Sequence, residues 1–178
     1  MQKKKLLLHC CCGPCSTSSI ERLFEEGYEP ILFFGNSNIY PPKEAQKRFE
    51  ALETVATHFN LELLKHEYNH LRWLEAVKGH ENDKERGQRC SICFNYNLAE
   101  AANEAKRLNI NYITTTLTVS PYKDSFTIFE IGKGFDQFIP INFKKKDGYK
   151  KSLELAKELK LYRQNYCGCE FSKRDRET

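Results

Sequence analysis

The sequence predicts an α/β fold: a mainly parallel sheet flanked by helices, with a cysteine-rich metal site at the sheet's carboxyl edge. Short apolar or β-branched segments alternate with helical stripes along the whole chain, the pattern of strands linked by crossover helices. The 178 residues, 40% hydrophobic and 29% charged, suit one α/β domain over residues 1–178. The segment His9-Cys10-Cys11-Cys12-Gly13-Pro14-Cys15 falls between an apolar run and a helical pattern. In an open α/β sheet, the loop after the first strand lies at the edge where ligands bind.

Leu6-Leu7-Leu8 is the first strand, and the pattern from Ser18 to Gly27 is the first helix. Gly13 supplies left-handed backbone freedom and close approach to a cofactor, while Pro14 fixes the turn. Residues 30–34 read as a second strand, followed by turn residues and Pro41-Pro42. A helix from about Lys43 to Phe59 carries Phe49, Leu52, Val55, Ala56 and Phe59 on one stripe. Residues 61–64 make a third strand, and a short helix with Trp73 on its apolar face ends near Gly79.

A polar loop over 82–89 delivers Cys90 and Cys93 to a helix striped by Phe94, Leu98, Ala101, Ala105 and Leu108. Residues 111–119, rich in threonine, fit a buried fourth strand. Ser120-Pro121-Tyr122-Lys123 turns the chain at that strand's end and opens a helix reaching Gly132. Residues 138–141 form a weaker strand, Gly148 precedes another helix, and the tail returns Cys167 and Cys169.

Net charge is only +4, with basic character gathered at Lys144, Lys145, Lys146, Lys150 and Lys151. Such a patch permits an anionic partner such as nucleic acid. The N-terminal apolar run is too short for a signal peptide, and no stretch is long and apolar enough to span a membrane. The eight cysteines are therefore expected in the cytoplasm, where clustered thiols bind metal or react more often than they form disulfides.

A 4Fe–4S cube typically takes four thiolates, as does a structural zinc ion. Eight cysteines exceed either need, so a polymetallic site is expected, a cluster with a separate metal or a redox-active dithiol beside it. On an extended chain Cys11 and Cys12 would point apart and face two neighbouring metals. Cys10 is read as facing the core. No glycine-rich or Walker-type pattern follows the first strand, which argues against ATP or a dinucleotide. His9 reads as a proton donor, a metal ligand or a hydrogen-bonded strand-end residue. Lys123 would suit a phosphate, and Tyr122 stacking or proton donation. Arg163 and Tyr166 beside the last cysteines suit stacked, unpaired bases.

These motifs together resemble the epoxyqueuosine reductase family of the QueH type. The marks are His9-x-Cys11-Cys12-x-Pro14-Cys15, Arg89-Cys90-x-x-Cys93-Phe94, residues 115–121, residues 143–149, and Tyr162-Arg163-Gln164-x-Tyr166-Cys167-Gly168-Cys169. Asn97 stands where family members tend to have arginine, and Tyr122-Lys123-Asp124 where a His-Lys-Asn version is common. The resemblance implies a Rossmann-like fold related to HUP domains and a metal-dependent last step of queuosine formation on tRNA. Reducing an epoxide to an alkene takes two electrons and two protons, whereas a cube passes electrons singly. Cys11, Cys12, Cys15, Cys90, Cys93, Cys167 and Cys169 are therefore expected to hold a 4Fe–4S cluster and an additional iron. His9, Tyr122 or Asp124 would supply protons. Lys123, Lys144, Lys145, Lys146, Arg163 and Tyr166 would contact the anticodon loop, and an unidentified donor would bring electrons. A zinc-stabilised RNA-binding domain without redox activity is the other reading.

Overall fold

The structure, a computed structural model, describes residues 3–177. Its strands are β1 (Lys4–His9), β2 (Tyr28–Phe34), β3 (Leu63–Lys65) and β4 (Ile113–Thr115), all parallel, in the order β3-β2-β1-β4. Seven α-helices accompany them among the described residues: α1 (Gly13–Glu25), α2 (Pro42–Phe59), α3 (His70–Ala76), α4 (Gln88–Arg107), α5 (Ser125–Gly132), α6 (Gly148–Glu158) and α7 (Glu170–Glu177).

Successive strand side chains point to opposite faces. Leu6, Leu8, Cys10, Leu32 and Phe34 therefore pack with Ile20 and Leu23 of α1 and Leu52 and Val55 of α2. Leu7, Phe33 and Ile113 pack on the other face with Ala101, Ala102 and Ala105 of α4. Each such leucine, fully buried, contributes about 1.5–3 kcal/mol. Because β1 lies between β2 and β4, the loops leaving β1 and β4 part company and open a crevice at the carboxyl edge. That crevice holds the site.

The third strand begins two residues later than expected. Asn60 takes a left-handed conformation, and the Leu61 N–H caps α2 by donating to the Ala56 carbonyl at 2.9 Å. The threonine-rich fourth strand pairs only over Ile113–Thr115, then tightens into a 3₁₀ turn over Thr116–Val119. Past His9 its neighbour β1 has ended, and on the far side of β4 threonine hydroxyls bond the 139–141 segment in place of a ladder. Thr114 donates to the Ile139 carbonyl at 2.9 Å and Thr118 to the Ile141 carbonyl at 2.8 Å. Residues 138–141 thus run alongside β4 with one isolated bridge, Ile113 to Phe138, rather than as a strand. Helix α7 was not anticipated.

Gly13 does not use left-handed freedom; it is the first residue of α1 and abuts the α2 backbone. A Cβ there would lie 2.8 Å from the carbonyl carbon and oxygen of Ala51. Gly13→Ala should therefore cost about 1–3 kcal/mol, read as a lowered midpoint in thermal unfolding. No helix among the described residues is long and apolar enough to cross a membrane.

Candidate metal centre

The chain bends at Cys11 as it leaves β1, and Cys12 becomes the N-cap of α1, its sulfur accepting the Cys15 N–H at 3.4 Å. The sulfurs of Cys11, Cys12 and Cys15 all lie within 4.8 Å of one another, with Cys11 and Cys12 only 3.9 Å apart. The expectation that Cys11 and Cys12 diverge is corrected here, because a bend running straight into a helix cap is not extended chain. Thiolates sharing a tetrahedral ion at 2.3 Å would stand about 3.8 Å apart, so the triad suits one metal. Cys10 is fully buried on the Leu6–Leu8 face, 3.3 Å from the Leu8 carbonyl oxygen, and burial pushes its thiol up.

Hydrogen bonds from the Cys12 and Cys15 thiols hold Cys11 well below the usual thiol range despite burial, with the charge of Lys123 adding to them. Their counterparts rise: the hydrogen bond to Cys11 pushes Cys12 up to about 12, and Cys15 is raised by the same contacts. Negative charge in the triad is thus drawn toward Cys11.

The other four thiols arrive on two further helix starts. Cys90 and Cys93 occupy the first turns of α4, while Cys167 and Cys169 immediately precede α7. Their sulfurs are solvated by N–H groups. Arg86 donates its backbone N–H to Cys90 at 3.3 Å, the Asn97 amide to Cys93 at 3.7 Å, and the Ser172 backbone to Cys169 at 3.4 Å. The Trp73 indole N–H, fully buried beside Cys93, has no oxygen acceptor. Helix N-termini and N–H donors favour the anionic form of these sulfurs and tune a bound cluster. Burial pulls the other way: it raises Cys90 and, more strongly, Cys93, and pushes Cys169 up to about 11. All eight cysteines are free thiols, and Cys11, Cys15, Cys90, Cys93, Cys167 and Cys169 line one cavity of about 470 Å³. The three cysteine groups meet, and both their donor chemistry and their N–H shell fit metal.

Because contacts with Cys11 raise Cys12 and Cys15 and burial raises Cys90, Cys93 and Cys169, a metal ion must displace protons from these thiols to bind. Affinity of the metal-free protein for zinc should therefore rise with pH between 6.5 and 8.5, about tenfold per unit for each proton released. Competition with a chromophoric chelator measures it.

The remaining candidates sort less uniformly. His9 is fully buried, with Nδ1 2.9 Å from Thr115 Oγ1 and Nε2 3.1 Å from Asn36 Oδ1. Burial lowers its pKa, and it ties the ends of β1, β2 and β4 together behind the cavity wall. Asp124 caps α5, accepting from the Phe126 and Thr127 N–H groups and the Thr127 hydroxyl. The Thr127 bonds hold its carboxyl below the usual range, so it is an acceptor, not a proton donor, at neutral pH. Tyr122 is 65% exposed at the cavity mouth. Lys123 turns inward to the thiols, and Lys144 donates to the Ser120 and Lys123 carbonyls at 3.1 and 2.7 Å. Lys144 is thus tied to the turn, while Lys123 lines the cavity. Lys145, Lys146 and Arg163 are exposed. Tyr166 is buried, its hydroxyl donating to the Tyr40 carbonyl.

Sequence reasoning missed Arg48. Its guanidinium, 1% exposed, donates to Glu44 at 2.8 Å, the Cys167 carbonyl at 2.8 Å and the Tyr166 carbonyl at 3.1 Å, and lies over the Tyr166 ring. The Tyr40 N–H takes the Gly168 carbonyl at 2.8 Å. Together these groups seat the tail thiols.

A family model described as "Epoxyqueuosine reductase QueH" matches residues 6–175. A protein of that name from Streptococcus pyogenes is 34% identical, covering 96% of this chain and 71% of its own length. Its Thermotoga maritima namesake is 37% identical, covering 94% and 89%. Among solved structures, a predicted tRNA methyltransferase subunit from Methanocaldococcus jannaschii aligns with TM-score 0.58 and 18% identity, over 87% of this chain and 75% of its own. The U34-tRNA thiolase NcsA from Methanococcus maripaludis, solved with its [4Fe-4S] cluster, gives 0.57 and 14%, over 97% and 64%. Those two share the fold.

Proposed function

The chain belongs to the epoxyqueuosine reductase QueH family, and from that premise we propose that it reduces epoxyqueuosine at the wobble position of a tRNA anticodon loop in the cytoplasm. In the balanced reaction both epoxide C–O bonds break, a C=C bond forms, and oxygen leaves as water with two electrons and two protons. The observation that carries the reading is the meeting of six thiols in one crevice, with Cys12 buried beside Cys11 and Cys15, in two geometries. Cys11, Cys12 and Cys15, close enough to share one ion, would hold a single iron and leave one coordination position open. Cys90, Cys93, Cys167 and Cys169, spread over two helix starts, would hold a 4Fe–4S cluster. The iron centres when bound supply single electrons and Lewis acidity.

The protein's own groups do the rest. The exposed Tyr122 hydroxyl at the mouth gives a proton to the departing oxygen. The crevice walls, from Asn38 to Leu117, exclude water from the reacting carbons. Lys145 and Lys146, with Lys150 and Lys151, hold the RNA backbone, and Arg163 stacks on the rim. Electrons come from an external one-electron donor.

Anaerobic purification should give a brown protein with about five irons and four sulfides per chain. With dithionite it should convert epoxyqueuosine-containing tRNA to a nucleoside lighter by one oxygen. A colourless zinc protein that binds tRNA without converting it would establish the zinc-stabilised RNA-binding reading instead.

A further inference from the structure

We propose that Lys123 is a positioning residue of the metal centre, its ammonium the fixed positive charge that bridges the two thiol groups and favours the reduced state of iron held there. This rests on the iron-dependent reading above. The turn that carries Lys123 is pinned on every side. Its N–H donates to the Ser120 carbonyl at 3.3 Å. Lys144 Nζ takes the carbonyls of Ser120 and Lys123 itself, and Arg86 Nε takes the Tyr122 carbonyl at 3.1 Å. Asp124 then caps α5 at once. These anchors fix the backbone from which the Lys123 side chain reaches into the cavity.

What it meets inside is sulfur. Lys123 lines the same cavity as Cys167, from the tail, and Cys11 and Cys15, from the loop after β1. Against the pull of burial, the charges of these sulfurs, Cys167 first, raise its ammonium pKa. Arg48 spends its N–H groups on Glu44 and backbone carbonyls and lies toward Cys11 and Cys12, and Arg89 lies toward Cys90 and Cys169. Lys123, by contrast, is set toward sulfurs of both groups. It spans the triad and the quartet at the place where they approach. Reduction adds a negative charge to a centre whose thiolates are already anionic. A buried cation beside it stabilises that added charge far more than a solvent-exposed one would. A lysine meant only for the RNA backbone would instead be exposed outside the cavity, as Lys145 and Lys146 are.

The test uses the full chain, purified without oxygen and loaded with iron and sulfide, as wild type, Lys123→Met and Lys123→Arg. Redox titration followed by electron paramagnetic resonance should show the Met variant's one-electron equilibrium shifted at least about tenfold toward the oxidised state, near 59 mV. The Arg variant should stay close to wild type. Affinity for an anticodon stem-loop and its salt dependence should be unchanged in both. Iron lost in the Met variant but kept in the Arg variant also supports the proposal, because it shows the need for charge. An unchanged potential with a salt slope reduced by about one would overturn it and restore Lys123 to phosphate contact, as would equal iron loss in both variants. A wild-type protein without redox-active iron overturns the function itself, whatever the variants do.

Discussion

Cys11→Ser should abolish epoxide reduction, by at least about 10³-fold, while the protein stays folded and brown. The factor follows from losing a Lewis-acidic site worth several kcal/mol at about 1.4 kcal/mol per decade. Cys11 is the sulfur of the triad whose hydrogen bonds with Cys12 and Cys15 most favour the thiolate. A serine hydroxyl at that position stays protonated and is a far weaker ligand, so about one iron per chain is lost. The quartet has its own donors, Arg86, Asn97 and Ser172, none of which depends on Cys11. Its iron and sulfide should remain. The control is the adjacent thiol. Cys10→Ala removes a sulfur that faces Leu8 and the α1 side of the core, so it should cost about 1 kcal/mol of stability and leave iron content and activity intact. Iron analysis, absorbance and turnover on the three proteins decide the matter. Equal loss of iron from both variants would mean that the loop holds metal as an undivided group.

Which parts of this site were legible in advance follows from which parts are local. The apolar runs that became β1 and β2 and the stripes of α2 and α4 needed no distant partner, and the structure places them as read. The run 111–119 did need one. Its threonines favour strand on a pleated surface, but beyond Thr115 β1 has ended, and on the far side of β4 the Thr114 and Thr118 hydroxyls bond to the carbonyls of Ile139 and Ile141 in place of a ladder. The lysines misled for a related reason. Lys123 and Lys144 look like solvated charges in sequence, and only the folded turn shows one aimed at sulfur and the other closing a loop. Spacing correctly predicted that the cysteines gather. It could not show that the bend at Cys11 reverses the alternation of an extended chain, since that depends on where α1 begins.

Arg48→Met should remove the tail thiols from the site and destabilise the fold by about 3–5 kcal/mol, the cost of breaking a buried ion pair on one side. In the sequence Glu44 and Arg48 are an ordinary i,i+4 pair, worth a few tenths of a kcal/mol on an exposed helix. In the structure both are buried, and the guanidinium spends its remaining N–H groups on the carbonyls of Tyr166 and Cys167. Glu44 is held in turn by the Tyr162 hydroxyl at 2.8 Å. Methionine keeps the stem but strands the Glu44 carboxylate and two carbonyls. The segment they anchor includes Gly168, at φ +144°, where a Cβ would meet Ile39 and Arg48. The Tyr40 N–H on the Gly168 carbonyl and the Tyr166 hydroxyl on the Tyr40 carbonyl remain, but neither takes over the two carbonyls that the guanidinium held. The expected outcome is the mirror of Cys11→Ser: cluster iron and sulfide are lost, and limited proteolysis cuts near residue 165. Lys at position 48 keeps the charge without the planar fork and cannot serve both carbonyls and Glu44 at once, so it should recover only part of the stability and cluster content. A variant that unfolds no earlier than wild type and keeps its full cluster would show that Cys167 and Cys169 are seated by α7 alone.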